Sequence, residues 1–407
     1  MSSVSPAVAP GREVSPMIRQ CPNCREAQMQ PFHHVQRIAV HSCLLVDDRE
    51  QARNFPAASL SLGLCPGCGF IANMRYDAAN RNYSQRYEET QGFSPCFTAF
   101  QQRLVRTLID RYGVRGKRVL EIGCGKGEFL AELCIEGDNR GIGIDPGCVK
   151  ERLSPAAASR LTVINDYYRP EHADLSADVI CCRHTLEHIP QTRGLLESIR
   201  RSIGDRQDTL VFFEVPDTLR ILEHLAFWDV YYEHCSYFTC GSLARLFRST
   251  GFDIDSLYLD FDDQYIMLLA RPAPRPTQPR LAIEDDLART SEGVATFAAG
   301  VEKSITAWRE RIGTAAAQGR RCVLWGSGSK AVAFLAAVGL DDQIHRVVDI
   351  NPYRQGRFMP LTGQPIVGPQ DLPACPPDYV VVMNRIYEGE IREQLSRMNL
   401  APTLWCV

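Results

Sequence analysis

No stretch of this 407-residue chain is apolar for long enough to cross a bilayer. The longest run, AVAFLAAVGL at 331–340, is about half of the roughly twenty residues a spanning helix requires. A strong charge of either sign is also missing. The 45 Lys and Arg against 48 Asp and Glu leave a formal net charge of −3, which excludes the broad basic footprint that nucleic-acid binding draws on. Neither a nucleic acid nor a membrane is therefore an expected partner. The N-terminus, MSSVSPAVAPGREVSP, shows no charged-then-apolar leader. Nor are the sixteen cysteines dense enough for a small disulfide scaffold. They are scattered, and four of them form two CxxC pairs, so a reducing cytoplasm is the expected compartment. What is present is a globular composition, 45% apolar and 23% charged, in a chain long enough for two or three domains.

Five stretches follow one another. Residues 1–20 are rich in Ser and Pro and read as a loose arm, and 21–75 hold the paired cysteines. Residues 76–270 open with a Tyr/Asn/Gln-rich connector and the helical FQQRLVRTLIDRYG, then alternate short apolar runs with helical segments, the rhythm of a mostly parallel sheet. A proline-rich linker at 271–280, RPAPRPTQPR, can continue neither helix nor strand. Over 281–407, Val294, Phe297, Val301, Ile305, Trp308 and Ile312 step by three or four and make one long amphipathic helix. A second alternating α/β segment begins at RCVLWGSGSK.

The pairs CPNC (Cys21, Cys24) and CPGC (Cys65, Cys68) are two knuckles, each of which turns both sulfurs toward one point. Four thiolates so arranged make a closed tetrahedral site for a structural Zn²⁺. A redox pair accounts for one CxxC but not for two.

KRVLEIGCGKGEFLAEL is the most informative segment. RVLEI is a buried strand, Gly123, Gly125 and Gly127 form a tight turn, and GEFLAEL opens a helix. About twenty residues on, GIGIDP ends a second strand in Asp145, whose carboxylate can accept from both hydroxyls of a ribose. A dinucleotide and S-adenosylmethionine both suit this geometry. The GxGxG spacing lacks the third glycine of GxGxxG, and Glu121 stands two residues before the turn. An acid there suits a sulfonium cofactor and repels a pyrophosphate. LTVINDYY is a third strand with Asn165 and Asp166 placed to meet an adenine amino group, and ADVICCRHTLEHI is a fourth strand opening into a helix. This order of elements resembles the class I S-adenosylmethionine-dependent methyltransferases.

After the next strand, TLVFFEVPD, comes WDVYYEHCSYF at 228–238. Together with the CxxC pairs, the HIP after the fourth strand, GSGSKA and VVDINPYRQGRFMPLTGQPI, this segment resembles the nucleotide-sugar C-methyltransferases of deoxysugar synthesis. The resemblance spans nearly the whole chain. It implies an α/β fold of three parts: a small N-terminal zinc module, a central class I methyltransferase (Rossmann-like) domain, and a second Rossmann-like α/β domain that handles substrate. It also implies active-site groups at His188, Tyr231, Glu233 and His234, joined by a connector tyrosine, Tyr87 with Tyr83 in reserve; Tyr83 and Tyr237 are expected on the substrate. Methylating carbon beside a ketone requires removal of a C–H proton, for which His234 is the expected base. Glu233 or Tyr231 would orient it or contact a sugar hydroxyl, and Tyr231, His188 or Tyr87 would meet the oxyanion. The chemistry as read needs no metal.

RHTLEHIP also resembles the HxLEH element of many small-molecule methyltransferases acting on oxygen, nitrogen or carbon, so an O- or N-methyltransferase is one alternative and a zinc-bearing adaptor retaining only the fold is another. The second glycine-rich turn, with Gly326, Gly328 and Asp349, passes as a dinucleotide fingerprint. The resemblance instead implies that Gly326, Ser327, Gly328, Ser329 and Lys330 meet the phosphates of an activated sugar at a helix N-terminus.

Overall fold

The computed structural model describes residues 17–407 apart from 82, 276 and 341. Most of the arm expected at 1–20 thus lies outside the described residues. The largest element is a seven-stranded sheet whose strands, edge to edge, are Phe252–Asp260, Tyr265–Pro272, Leu210–Pro216, Val179–Arg183, Arg118–Ile122, Arg140–Ile144 and Leu161–Ile164. The last five are parallel to one another, while Tyr265–Pro272 runs antiparallel between its two neighbours. VICCR is buried at every position and LVFFEVP at all but the last, as strands covered on both faces require. The order reverses at Arg118–Ile122, which opens a crevice beyond the carboxyl ends of the strands.

Two local expectations are corrected. The strand Val179–Arg183 does not open directly into a helix. His184 takes φ +46°, an uncommon conformation for a residue with a side chain, and only a single 3-10 turn at Leu186–His188 precedes the helix Thr192–Ile203. The strand Tyr265–Pro272 also enters the expected linker, with Pro272 opposite Phe252 at its end.

The N-terminal sheet joins Gln30–Ala39, Ala57–Leu64 and Ile71–Asn73 in antiparallel order, and its fourth strand is Ser236–Tyr237 from the tyrosine-rich stretch. The five C-terminal strands are all parallel, ordered Ile366–Val367, Ile344–Val348, Cys322–Trp325, Tyr379–Val382 and Thr403–Cys406. The long helix, Leu287–Ala317, buries Val294, Phe297, Val301, Ile305 and Ile312. Each large side chain so buried contributes about 1.5–3 kcal/mol. One apolar cluster runs from Leu60 and Ile71 through Trp228 and Tyr232 to Phe297, Phe334 and Val347, so all three parts share a core. Among the described residues no helix is long and apolar enough to cross a membrane.

Candidate active site

A cleft of about 520 Å³ opens at the crevice and extends to the second glycine turn. At one end the chain leaves Arg118–Ile122 through Gly123, Gly125 and Gly127, with φ of +72°, +51° and +79°. A side chain at Gly123 would collide with Thr185, so this turn admits only glycine at the point where the backbone meets the cleft. Asp145 accepts from Gly125 N at 2.9 Å and from Gly147 N at 2.6 Å. Each carboxylate oxygen keeps acceptor capacity for a ribose hydroxyl. Glu121 is buried, its Oε2 has no hydrogen-bond partner among the described residues, and burial pushes its pKa up to about 8. A carboxyl in that condition is stabilised by a cation brought beside it. These residues therefore fit S-adenosylmethionine, whose donor end is positive and whose other end carries a ribose.

Of the pair after the third strand, Asp166 lines the cleft, whereas Asn165 turns away and donates to Cys148 O at 2.8 Å, bracing the loop behind Asp145. Lys126, inside the motif but without an expected role, donates to Tyr87 O (2.6 Å) and Gly147 O (2.8 Å). It thereby ties the connector to the cofactor loop.

Midway along the cleft stand Tyr83, Tyr87, His188, Tyr231 and His234. The Tyr83 hydroxyl is 2.6 Å from His188 Nδ1 and donates to Glu233 Oε2 at 3.3 Å; Tyr87 donates to the same oxygen at 2.9 Å. Glu233 also lies 3.1 Å from His41 Nδ1 and accepts from Ser42 N at 2.9 Å. Burial opposes its charge, but the His41 hydrogen bond and the field of His188 hold its pKa at about 2. Glu233 is therefore a buried anchor behind the connector tyrosines and does not orient His234, contrary to expectation. The His234 ring packs edge-on against His188 (4.7 Å) and Tyr231 (4.6 Å). Burial and then His188 lower its pKa to about 4, so the ring is neutral at pH 7. Tyr237 does not reach the cleft: its hydroxyl accepts from Tyr231 N and donates to Tyr231 O, both at 3.0 Å.

Sequence reasoning missed Asp229, although it lies in the same stretch. Its Oδ1 accepts from Tyr231 Oη at 2.8 Å and pairs with Lys330 of the C-terminal domain, while Arg220 stands 3.5 Å from Oδ2. Lys330 is thus committed to Asp229. Ser327, expected to meet phosphate, is buried and donates to Asp349 Oδ2 through N (2.8 Å) and Oγ (2.5 Å). Gly326, Gly328, Ser329 and Lys330 line the cleft; Ser327, Gly127, Glu233 and Tyr237 do not. His41 carried no motif that could have announced it. His184 was passed over inside RHTLEH: burial opposes its charge, yet Glu214, 2.8 Å from Nε2, lifts its pKa to about 9.

Away from the cleft, Cys21, Cys24, Cys65 and Cys68 bring four sulfurs within 4.8 Å of one another. The Cys21–Cys68 and Cys24–Cys65 separations are both 3.7 Å. A tetrahedron with bonds of about 2.3 Å has edges of about 3.8 Å, so the thiols fit zinc.

Two protein families and several known proteins resemble the chain. A family described as "Methyltransferase domain" matches residues 97–257, and one described as "C-methyltransferase C-terminal domain" matches residues 274–406. The chain is 26% identical over 363 residues to the C-methyltransferase NovU of Streptomyces niveus, covering 85% of each chain. It is 33% identical over 97 residues to the ubiquinone biosynthesis O-methyltransferase of Erwinia tasmaniensis, which is 22% of this chain and 40% of that one. Among solved structures, the N,N-8-amino-8-demethyl-D-riboflavin dimethyltransferase of Streptomyces davawensis is 19% identical with a TM-score of 0.35, covering 44% of this chain and 56% of that one.

Proposed function

We propose that this chain, an S-adenosylmethionine-dependent methyltransferase of the class I α/β fold, methylates a ring carbon of a nucleotide-linked 4-keto-deoxysugar. One observation carries the reading. A single cleft runs from the glycine turn at 123–127, past His188 and His234, to the glycines of the second turn. Donor, proton acceptor and a phosphate-bearing substrate can share that space. The likeness to a C-methyltransferase over 85% of both chains supports carbon as the acceptor.

When bound, the cofactor supplies a methyl group on a positively charged sulfur. Glu121 and Asp145 would hold its two ends. A ring nitrogen of His234 takes the proton from the carbon beside the ketone, leaving the electron pair in an enolate. Tyr231 commits its hydroxyl to Asp229, Tyr87 commits its own to Glu233, and Tyr83 is held between Glu233 and His188 Nδ1, which leaves His188, in its Nε2–H form, to donate to the enolate oxygen. Held by Glu121 and Asp145, the cofactor would supply its methyl carbon for the new C–C bond and would keep the C–S bonding pair on its sulfur. The backbone around Gly328, at the start of the helix Ser329–Val338, receives the substrate's phosphates. Structural Zn²⁺ belongs on the four thiolates, supported by their 3.7 Å separations.

The test follows the proton. In deuterated water, with S-adenosylhomocysteine in place of the donor, the wild-type enzyme should exchange the α-proton of a nucleotide-linked 4-keto-deoxysugar. His234→Asn should slow exchange by about 10²–10⁴-fold with unchanged S-adenosylhomocysteine affinity. A product methylated on oxygen or nitrogen, formed without exchange, sinks the reading.

A further inference from the structure

We propose that Glu187, His188 and His234 form a second metal site, which takes a divalent cation of the zinc type and stops the reaction when filled. One ligand atom from each of the three lies within 4.8 Å of the others. All three side chains line the cleft. Glu187 is only 2% exposed, and its Oε2 has no hydrogen-bond partner among the described residues. Its other oxygen stands 3.7 Å from His184 Nδ1. A buried carboxylate oxygen left without a donor, beside two imidazoles, is a set of electron pairs awaiting an electrophile.

The frame around the three is already built. Cys235 Sγ donates to Glu187 O at 3.6 Å and Ser236 Oγ to Ile189 O at 2.7 Å, so the segments carrying Glu187, His188 and His234 are clamped face to face. His188 places Nδ1 against the Tyr83 hydroxyl at 2.6 Å. With the ring proton on Nδ1, the Nε2 lone pair is free to coordinate, and the outer hydrogen bond fixes the ring as it does for metal-bound histidines. His234 makes ring contacts and no hydrogen bond among the described residues, so its lone pair is also unclaimed.

Ligand chemistry selects the ion. Two imidazoles and one carboxylate suit zinc and its neighbours, with a fourth position open to the cleft. Magnesium and calcium require mostly oxygen ligands and are not served. Coordination occupies the lone pair with which His234 would take a proton, so a filled site is an idle enzyme. The binding claim stands alone; the inhibition rests on the reading of His234 as base.

The experiment uses the full-length protein, stripped of metal, reloaded with excess Zn²⁺, desalted, and assayed for zinc per chain. Wild type should hold one equivalent more than either Glu187→Gln or His188→Asn. Titration against a chromophoric chelator should show that extra equivalent weakened at least about tenfold in each variant. Wild-type turnover should fall as the extra equivalent fills and recover on chelation. Equal zinc content in wild type and both variants overturns the site. Turnover that rises as the site fills overturns the inhibition. Loss of the zinc difference with α-proton exchange intact condemns this proposal alone, whereas loss of exchange with the zinc difference intact condemns the carbon-methylation reading, and the inhibition with it, but leaves the metal site standing.

Discussion

Glu121 reaches the floor of the cleft as a carboxyl that burial keeps protonated up to a pH of about 8; Arg183 eases that burden while Asp145 and Glu214 add to it. A cationic donor favours the ionised form, so its binding should expel a proton at any pH between the bound and free pKa values of Glu121. Affinity for S-adenosylmethionine should accordingly climb with pH and level off near 8. Calorimetry in buffers of different ionisation heat should register the released proton. Glu121→Gln should flatten the profile and weaken binding about tenfold, the equivalent of one charge-assisted hydrogen bond. A flat wild-type profile would separate Glu121 from the cation. Glu121 and Asp145 were legible because a strand, a glycine turn and a second strand set their positions within a few residues. Asn165 and Asp166 were not separable in that way, since two polar neighbours after one strand point to opposite sides. Glu233 looked like a partner for its neighbour His234, but its oxygens face His41, Ser42, Tyr83 and Tyr87, which only the tertiary fold brings near.

Among the elements, the helix Ser329–Val338 has an unusual duty. Its Lys330 leaves the C-terminal domain and pairs with Asp229, the residue that holds the Tyr231 hydroxyl. Lys330→Met would leave the buried Asp229 carboxylate with the Tyr231 hydroxyl and, among the described residues, the charge of Arg220 at 3.5 Å. Chemical denaturation should show a loss of about 3 kcal/mol, and turnover should drop while cofactor affinity holds. Unchanged turnover would mean that the Tyr231 orientation does not matter. The helix itself was readable from GSGSKA and its apolar run, and the long helix Leu287–Ala317 from its three-and-four spacing. The partnership was not, because an ion pair across 101 positions leaves no local pattern. The same holds for Ser236–Tyr237, a two-residue strand that exists only through its pairing with Ile71 and Ala72. The break at His184 went unread because its backbone conformation belongs to glycine's territory.

Across the whole molecule, the thiol cluster lies away from the cleft but is mechanically connected to it. The module it organises supplies His41 and Ser42 to Glu233, and Glu233 in turn fixes Tyr83 and Tyr87. With the proposed zinc on Cys21, Cys24, Cys65 and Cys68, treatment with a strong chelator should therefore lower both thermal stability and turnover. S-adenosylmethionine affinity should change little, since Gly123, Gly125 and Asp145 belong to the central sheet. Turnover that survives complete zinc loss would break this connection. The three-part organisation was visible from composition and motif order, whereas the shared apolar core was not, because periodicity reports which face is buried but not against what.

The short strand Ser236–Tyr237 has a consequence for how the chain matures. Ile71–Asn73 gains its outer neighbour only after the entire five-stranded parallel half of the central sheet has been synthesised. Until then the small sheet emerges from the ribosome with a bare edge of unpaired amides and carbonyls. A fragment ending before Ser236 would carry that sticky margin permanently, and self-association of such a fragment, relieved by adding the missing segment as a peptide, is the behaviour its topology dictates.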